Sequence, residues 1–273
     1  MAVRVFSAEL KFGRYPNEIN DFRGAGRPFA LALGAGFALL ALACSPPPPP
    51  VLWAWDRPED LTFLVPGEAA VAALAGTVEL AVDASGALRL VVTPRRGALR
   101  VPTAVERLAV VRLEAPPGSA VLTPDHADEV AGAIEALVPR GDLQLDFDAT
   151  VSQRPFYRAL LARLARPGRQ LSIVALASWC SGDPWVDALP ISRAVPMLYR
   201  MGPDGPAIRA GLLRGEDFRA AVCRRDLGVA DDEPVPQLPA GRRLWLFSER
   251  PWTRESFRSL LAEARNSEVP SGP

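Results

Sequence analysis

Residues 142–150, DLQLDFDAT, place Leu143, Leu145 and Phe147 on one side of an extended segment and Gln144, Asp146 and Asp148 on the other, because successive strand side chains point to opposite faces. Two carboxylates on one strand face suit general acid chemistry. Repulsion between them raises the pKa of one, which then keeps a proton it can donate. On this reading Asp148 is the acid and Asp146 its partner. The competing reading is structural: an arginine such as Arg112 pairs with Asp146 and no chemistry follows.

Carboxylates act only where a fold delivers substrate to them, so the surrounding elements matter. VLWAWD (51–56), LAVVRLE (108–114), LQLDFDA (143–149), LSIVALAS (171–178), VPMLYRM (195–201) and RRLWLFSE (242–249) read as strands. TVELAV and ALRLVV flank the turn Asp83-Ala84-Ser85-Gly86 and read as a hairpin excursion near 77–101. Helices are expected after Thr123-Pro124, over 155–164, over 216–226 and from the cap Thr253 to Arg265. Strand–helix alternation requires crossover connections and a parallel sheet. The expected fold is therefore α/β, a (β/α) TIM-like barrel of eight strands or fewer over 51–265, followed by a disordered tail at 266–273.

Active groups of such a barrel stand at the C-terminal strand ends. Those positions hold Trp55, Asp56 and Arg57; Arg112 and Glu114; Gln144, Asp146 and Asp148; Ser178, Trp179 and Cys180; Tyr199 and Arg200; and Ser248, Glu249 and Arg250. Acids, arginines and flat aromatic rings on one rim are what a sugar-binding cleft uses. The expected substrate contacts are Gln144, Glu114, Arg112, Trp179, Tyr199, Arg200, Trp55 and Glu249. Among the six tryptophans, Trp55 and Trp179 are placed to stack on a sugar ring, and the others read as packing.

Several chemistries are disfavoured. No GxSxG occurs, and the single histidine, His126, falls in a helix first turn away from the strand ends, so a serine triad lacks its base. No GxGxxG or GxxxxGK[ST] follows a strand, which argues against a nucleotide cofactor. No CxxC or histidine cluster suggests a metal, and no cofactor is expected. With 31 basic and 31 acidic groups evenly balanced and no arginine stripe, the footprint of a nucleic-acid binder is missing.

The first 50 residues carry a different message. Arg4, Lys11, Arg14, Arg23 and Arg27 precede an apolar run, FALALGAGFALLALAC (29–44), shorter than the roughly 20 residues a membrane span needs. This is the layout of an export signal, taken as 1–43, with an Ala-x-Ala cleavage site at 41–43; an uncleaved anchor helix is the alternative. Prolines 46–50 extend a stiff tether over 44–50. In an oxidising compartment Cys180 and Cys223 are a disulfide candidate, against two separate buried thiols.

Three resemblances refine these readings. Residues 41–44, ALAC, resemble the lipobox of bacterial lipoproteins, which implies lipidation of Cys44 and a protein anchored at the periplasmic face of a membrane. Ala41 stands where leucine is usual, and Leu42 is larger than the usual residue. LQLDFDAT, RPFYRALL, LSIVALASWC and AVPMLYRMG, with WAWDRPEDL and DDEP at 231–234, resemble the bacterial family called domain of unknown function 3142, which implies an exported barrel-like protein without naming an activity. Gln144, Asp146 and Asp148 also fall on the Asp-x-Asp-x-Glu of glycoside hydrolase family 18, and Met197-x-Tyr199 is similar to that family's Met-x-Tyr. That likeness implies Asp148 as proton donor, Asp146 as its partner and Tyr199 on the substrate. Asp148 stands where the family has glutamate, and Arg200 where it usually has an acid. The leading expectation is an envelope-associated barrel that binds a glycan and hydrolyses it. A non-catalytic lipoprotein whose barrel mouth binds a glycan or a protein partner is the alternative, and a purely structural tethered domain is a third.

Overall fold

The structure, a computed structural model, describes residues 47–115, 121–182 and 185–269. The strands of its main sheet are β1 (Val51–Ala54), β2 (Ala70–Val82), β3 (Leu88–Pro94), β4 (Arg107–Glu114), β5 (Leu143–Asp146), β6 (Leu171–Leu176), β7 (Arg193–Met197), β8 (Asp226–Ala230) and β9 (Arg243–Phe247), beside two small two-stranded pairings. Its helices are α1 (Ala127–Leu137), α2 (Arg154–Leu164), α3 (Ala177–Ser181), α4 (Gly205–Leu213) and α5 (Arg254–Asn266). All strands but β3 form one parallel barrel in the order β1-β2-β4-β5-β6-β7-β8-β9, and β1 closes it by pairing with both β2 and β9. The barrel therefore has its full eight strands.

Each strand separates two apolar layers. Val51, Trp53, Ala72, Leu74, Val110, Val174, Val195 and Trp245 fill the lumen, while Leu52, Val71, Leu143, Leu145, Ile173 and Leu246 face outward to the helices. Strands buried on both faces need continuous apolar runs, which is how β1 and β6 read. Helix α2 shows the complementary pattern. Pro155 sits in its first turn, and Phe156, Tyr157, Leu160, Leu161 and Leu164 form the buried stripe against the sheet.

Three expectations are corrected, and one helix is added to those expected. The segment expected as a helix over 216–226 holds only a short 3-10 turn, Ala221–Cys223, and then strand β8; a five-residue buried run such as DLGVA has no periodicity to mark it. Helix α4, GPAIRAGLL, was hidden by Gly205, Pro206 and Gly211, all poor helix formers. The expected disordered tail is ordered as far as Val269, because Glu268–Val269 pairs with Leu238–Pro239. The tether's last prolines are bound to the barrel: Arg243 Nε donates to Pro49 O at 2.9 Å and Ala70 N–H to Pro50 O at 2.8 Å. The hairpin is present, with its first arm an extension of barrel strand β2. The segment expected as an export signal, 1–43, and Cys44 lie outside the described residues. Among the described residues no helix is long and apolar enough to cross a membrane.

Candidate functional site

The C-terminal ends of the barrel strands surround a cavity of about 500 Å3. One wall is acidic. The register sets Arg112 on β4 directly opposite Asp146 on β5, and the guanidinium bridges two acids: Nε donates to Glu114 Oε1 at 2.6 Å and Nη1 to Asp146 Oδ2 at 3.2 Å. The pairing that sequence reasoning offered as the structural alternative is therefore made. It leaves the carboxyl of Asp146 far from ordinary. Burial of this side chain, 9% exposed, raises its pKa by more than the charge of Arg112 lowers it, and the nearby Asp148 and Glu114 add to the rise, which reaches about 6. Desolvation disfavours the ionised form even beside a cation. The charges of Asp146, Glu114 and Asp148 outweigh the effect of burial on Arg112, whose pKa rises and which stays charged.

Burial, the largest cause, puts the upward pull on Asp146. Strand β5 ends at Asp146, so Asp148 stands above it, exposed on the rim of the same cavity. No hydrogen bond or ion pair to Asp148 forms among the described residues. The wall thus combines one buried, arginine-held carboxyl with one open to an incoming group.

The opposite wall is aromatic. Tyr199 stacks on Phe247, with centroids 5.3 Å apart and planes 14° apart, and Trp53 and Trp55 lie 5.3 Å from each other and about 6 Å from the same phenylalanine. Arg112 lies over Trp55 at 5.3 Å, so the acidic and aromatic walls meet through one guanidinium. Burial, followed by the charge of Asp146, pushes the Tyr199 phenol above its ordinary range, which keeps it a hydrogen-bond donor.

Loops beyond the strands hold this rim. Arg200 adopts φ +50°, a left-handed conformation that costs a non-glycine residue on the order of 1 kcal/mol. Three acids fix it: its N–H donates to Glu233 at 2.9 Å, and its guanidinium reaches Asp232 at 2.8 Å and also Glu249. Behind Trp55, Asp56 accepts from the backbone N–H groups of Arg96 and Gly97, while Arg57 donates to the carbonyls of Ser248, Glu249 and Arg250. Gly97 is required there, since a Cβ would meet the Arg57 backbone at 2.3 Å.

The structure brings Trp55, Arg112, Glu114, Asp146, Asp148, Tyr199 and Arg200 to the cavity. Three expected contacts fall elsewhere. Gln144 is wholly buried one pleat below Asp146 in the lumen, and neither end of its amide has a partner among the described residues. Glu249 pairs with Arg200 outside the lining. Trp179 sits on α3, 5% exposed, packed edge-on to Trp185 at 5.1 Å; it faces a separate groove of about 600 Å3 between α3 and α4, because the chain turns into helix at Ala177 and carries it off the strand. Trp53, Phe247 and Thr77 line the cavity and were not expected there. Trp53 shares its strand face with Trp55, a signal that was available.

Cys180 and Cys223 are joined in a disulfide with Cα atoms 6.0 Å apart, which ties α3 to the turn before β8. Among the described residues no group of three or more His, Cys, Asp or Glu side chains could hold a metal ion. No protein-family model, curated protein or solved structure matches the chain.

Proposed function

We propose that this chain is an envelope-associated, glycoside-hydrolase-like barrel whose mouth binds a glycan and hydrolyses it with Asp146 and Asp148. The observation that carries the reading is a buried carboxyl with its pKa near 6 beside an exposed one, facing an aromatic wall across a cavity. A glycosidic bond needs a proton on its leaving oxygen and a second carboxylate for the developing charge or the water. Asp146, with its pKa near 6, is the member that holds its proton into the mildly acidic range, and Asp148 is the member open to solvent. Trp55 and Tyr199 offer apolar and hydroxyl contacts to sugar rings, while Glu114 and Arg200 take hydroxyl groups at the rim. The export-signal layout of residues 1–43, the likeness of residues 41–44 to a lipobox and the resemblance to the exported uncharacterised family support a place at the periplasmic face of a membrane.

A second reading, glycan binding without cleavage, is favoured by one observation: Arg112 already occupies an oxygen of Asp146. Turnover and calorimetric binding across cell-wall glycans and exopolysaccharides separate the two. Hydrolysis by the wild type that is lost in Asp146→Asn and Asp148→Asn, with binding retained, supports catalysis. Binding without turnover supports the second reading, and neither activity on any glycan sinks both.

A further inference from the structure

The cavity wall does not stop at the barrel rim. Strand β2 is 13 residues long, and its pairing with β4 slips by one residue: Leu74 faces Val110, but Gly76 faces Val111, leaving Ala75 as a bulge. One extra residue exchanges the two faces of a strand. Below the bulge Ala70, Ala72 and Leu74 point into the lumen. Above it Val78 and Leu80 join the outer layer, so Thr77, Glu79 and Ala81 take the inner face.

Two rows of neighbouring residues result. Thr93, Thr77, Arg112 and Asp146 lie side by side across β3, β2, β4 and β5, and the last three line the cavity. The next row up is Val91, Glu79 and Glu114, where Val91 is a 53% exposed apolar side chain. The inner face of the hairpin therefore continues the cavity's acidic wall, and the strand carries it about 17 Å past Thr77 at about 3.4 Å per residue. The hairpin is anchored at its far end. His126 Nε2 lies 3.2 Å from Gly86 O in the turn, while its Nδ1 accepts the Thr123 N–H at 3.1 Å.

We propose that this inner hairpin face, centred on Val91 and Glu79, is a second binding surface continuous with the barrel mouth, and that the ligand is a linear oligosaccharide several sugars long. This rests on the glycan reading above and adds the substrate's length and direction. Val91 supplies an apolar spot for a ring face, and Glu79 with Glu114 supplies acceptors for hydroxyl groups.

The test is calorimetric titration with purified disaccharides and hexasaccharides cut from cell-wall glycan, from β-1,4-linked N-acetylglucosamine polymer and from exopolysaccharide. The wild type binds the hexasaccharide at least roughly tenfold more tightly than the disaccharide. Val91→Ser removes that gain and leaves disaccharide affinity unchanged, whereas Val92→Ser, on the outer face of the same strand, alters neither. Equal affinity for the two lengths, or a gain that survives both Val91→Ser and Glu79→Gln, overturns the proposal and leaves the glycan reading standing. Binding of no oligosaccharide at either length overturns both.

Discussion

Replacing Asp146 by asparagine isolates the electrostatic cost of the mouth. In the folded protein the carboxyl titrates near 6, against 3.8 for the free group. A folded pKa raised above the unfolded one stabilises the fold fully below the unfolded value, and that contribution is lost as pH rises through the folded value. The span between the two corresponds to roughly 3 kcal/mol. The contribution of Asp146 to wild-type stability should thus fall by about that amount between pH 3.8 and about pH 6 and stay low above it. Asparagine keeps the shape and cannot ionise, so Asp146→Asn lacks this component. Guanidinium unfolding of both proteins from pH 3.5 to 8 gives the difference directly. The variant should gain on the wild type by about 3 kcal/mol across the window, roughly 6–12 °C in Tm for a domain of this size. A pH-independent difference would show that Asp146 has an ordinary pKa. A difference of opposite sign would show that Arg112 at 3.2 Å overcomes burial, and the case for Asp146 as a proton-holding acid would fail.

Two further changes probe the scaffold. Gln144→Met, which removes a buried amide without partners among the described residues, should raise stability by about 1–3 kcal/mol in denaturant titrations; a loss of stability would mean that the amide is satisfied within the barrel. Replacing Cys180 and Cys223 together by alanine opens a loop of 43 residues and should cost about 4 kcal/mol, and calorimetry showing a change under 1 kcal/mol would refute the entropic account.

Much of the site was legible because the strand alternation is local. Arg112 and Glu114 share one face of their strand, as Gln144 and Asp146 share one face of theirs, through a side-chain period available from short stretches; the register that sets Arg112 opposite Asp146 was not. Trp179 was misplaced because the chain turns from strand into helix at Ala177, a boundary that the continuous apolar run LSIVALAS does not mark. Gln144 was misassigned for a related reason. Its face was read correctly, but depth within a barrel is set by the neighbouring strands.

The sequence by itself determined the fold class, the inward face of β5 and most residues of the rim, since hydrophobic period and strand–helix alternation act over a few residues. Only the tertiary structure decided which acid is buried, which is exposed and how far the wall extends. Those outcomes depend on register, on a one-residue bulge in β2 and on the desolvation of Asp146 beside Arg112. Each of them is a property of several strands at once.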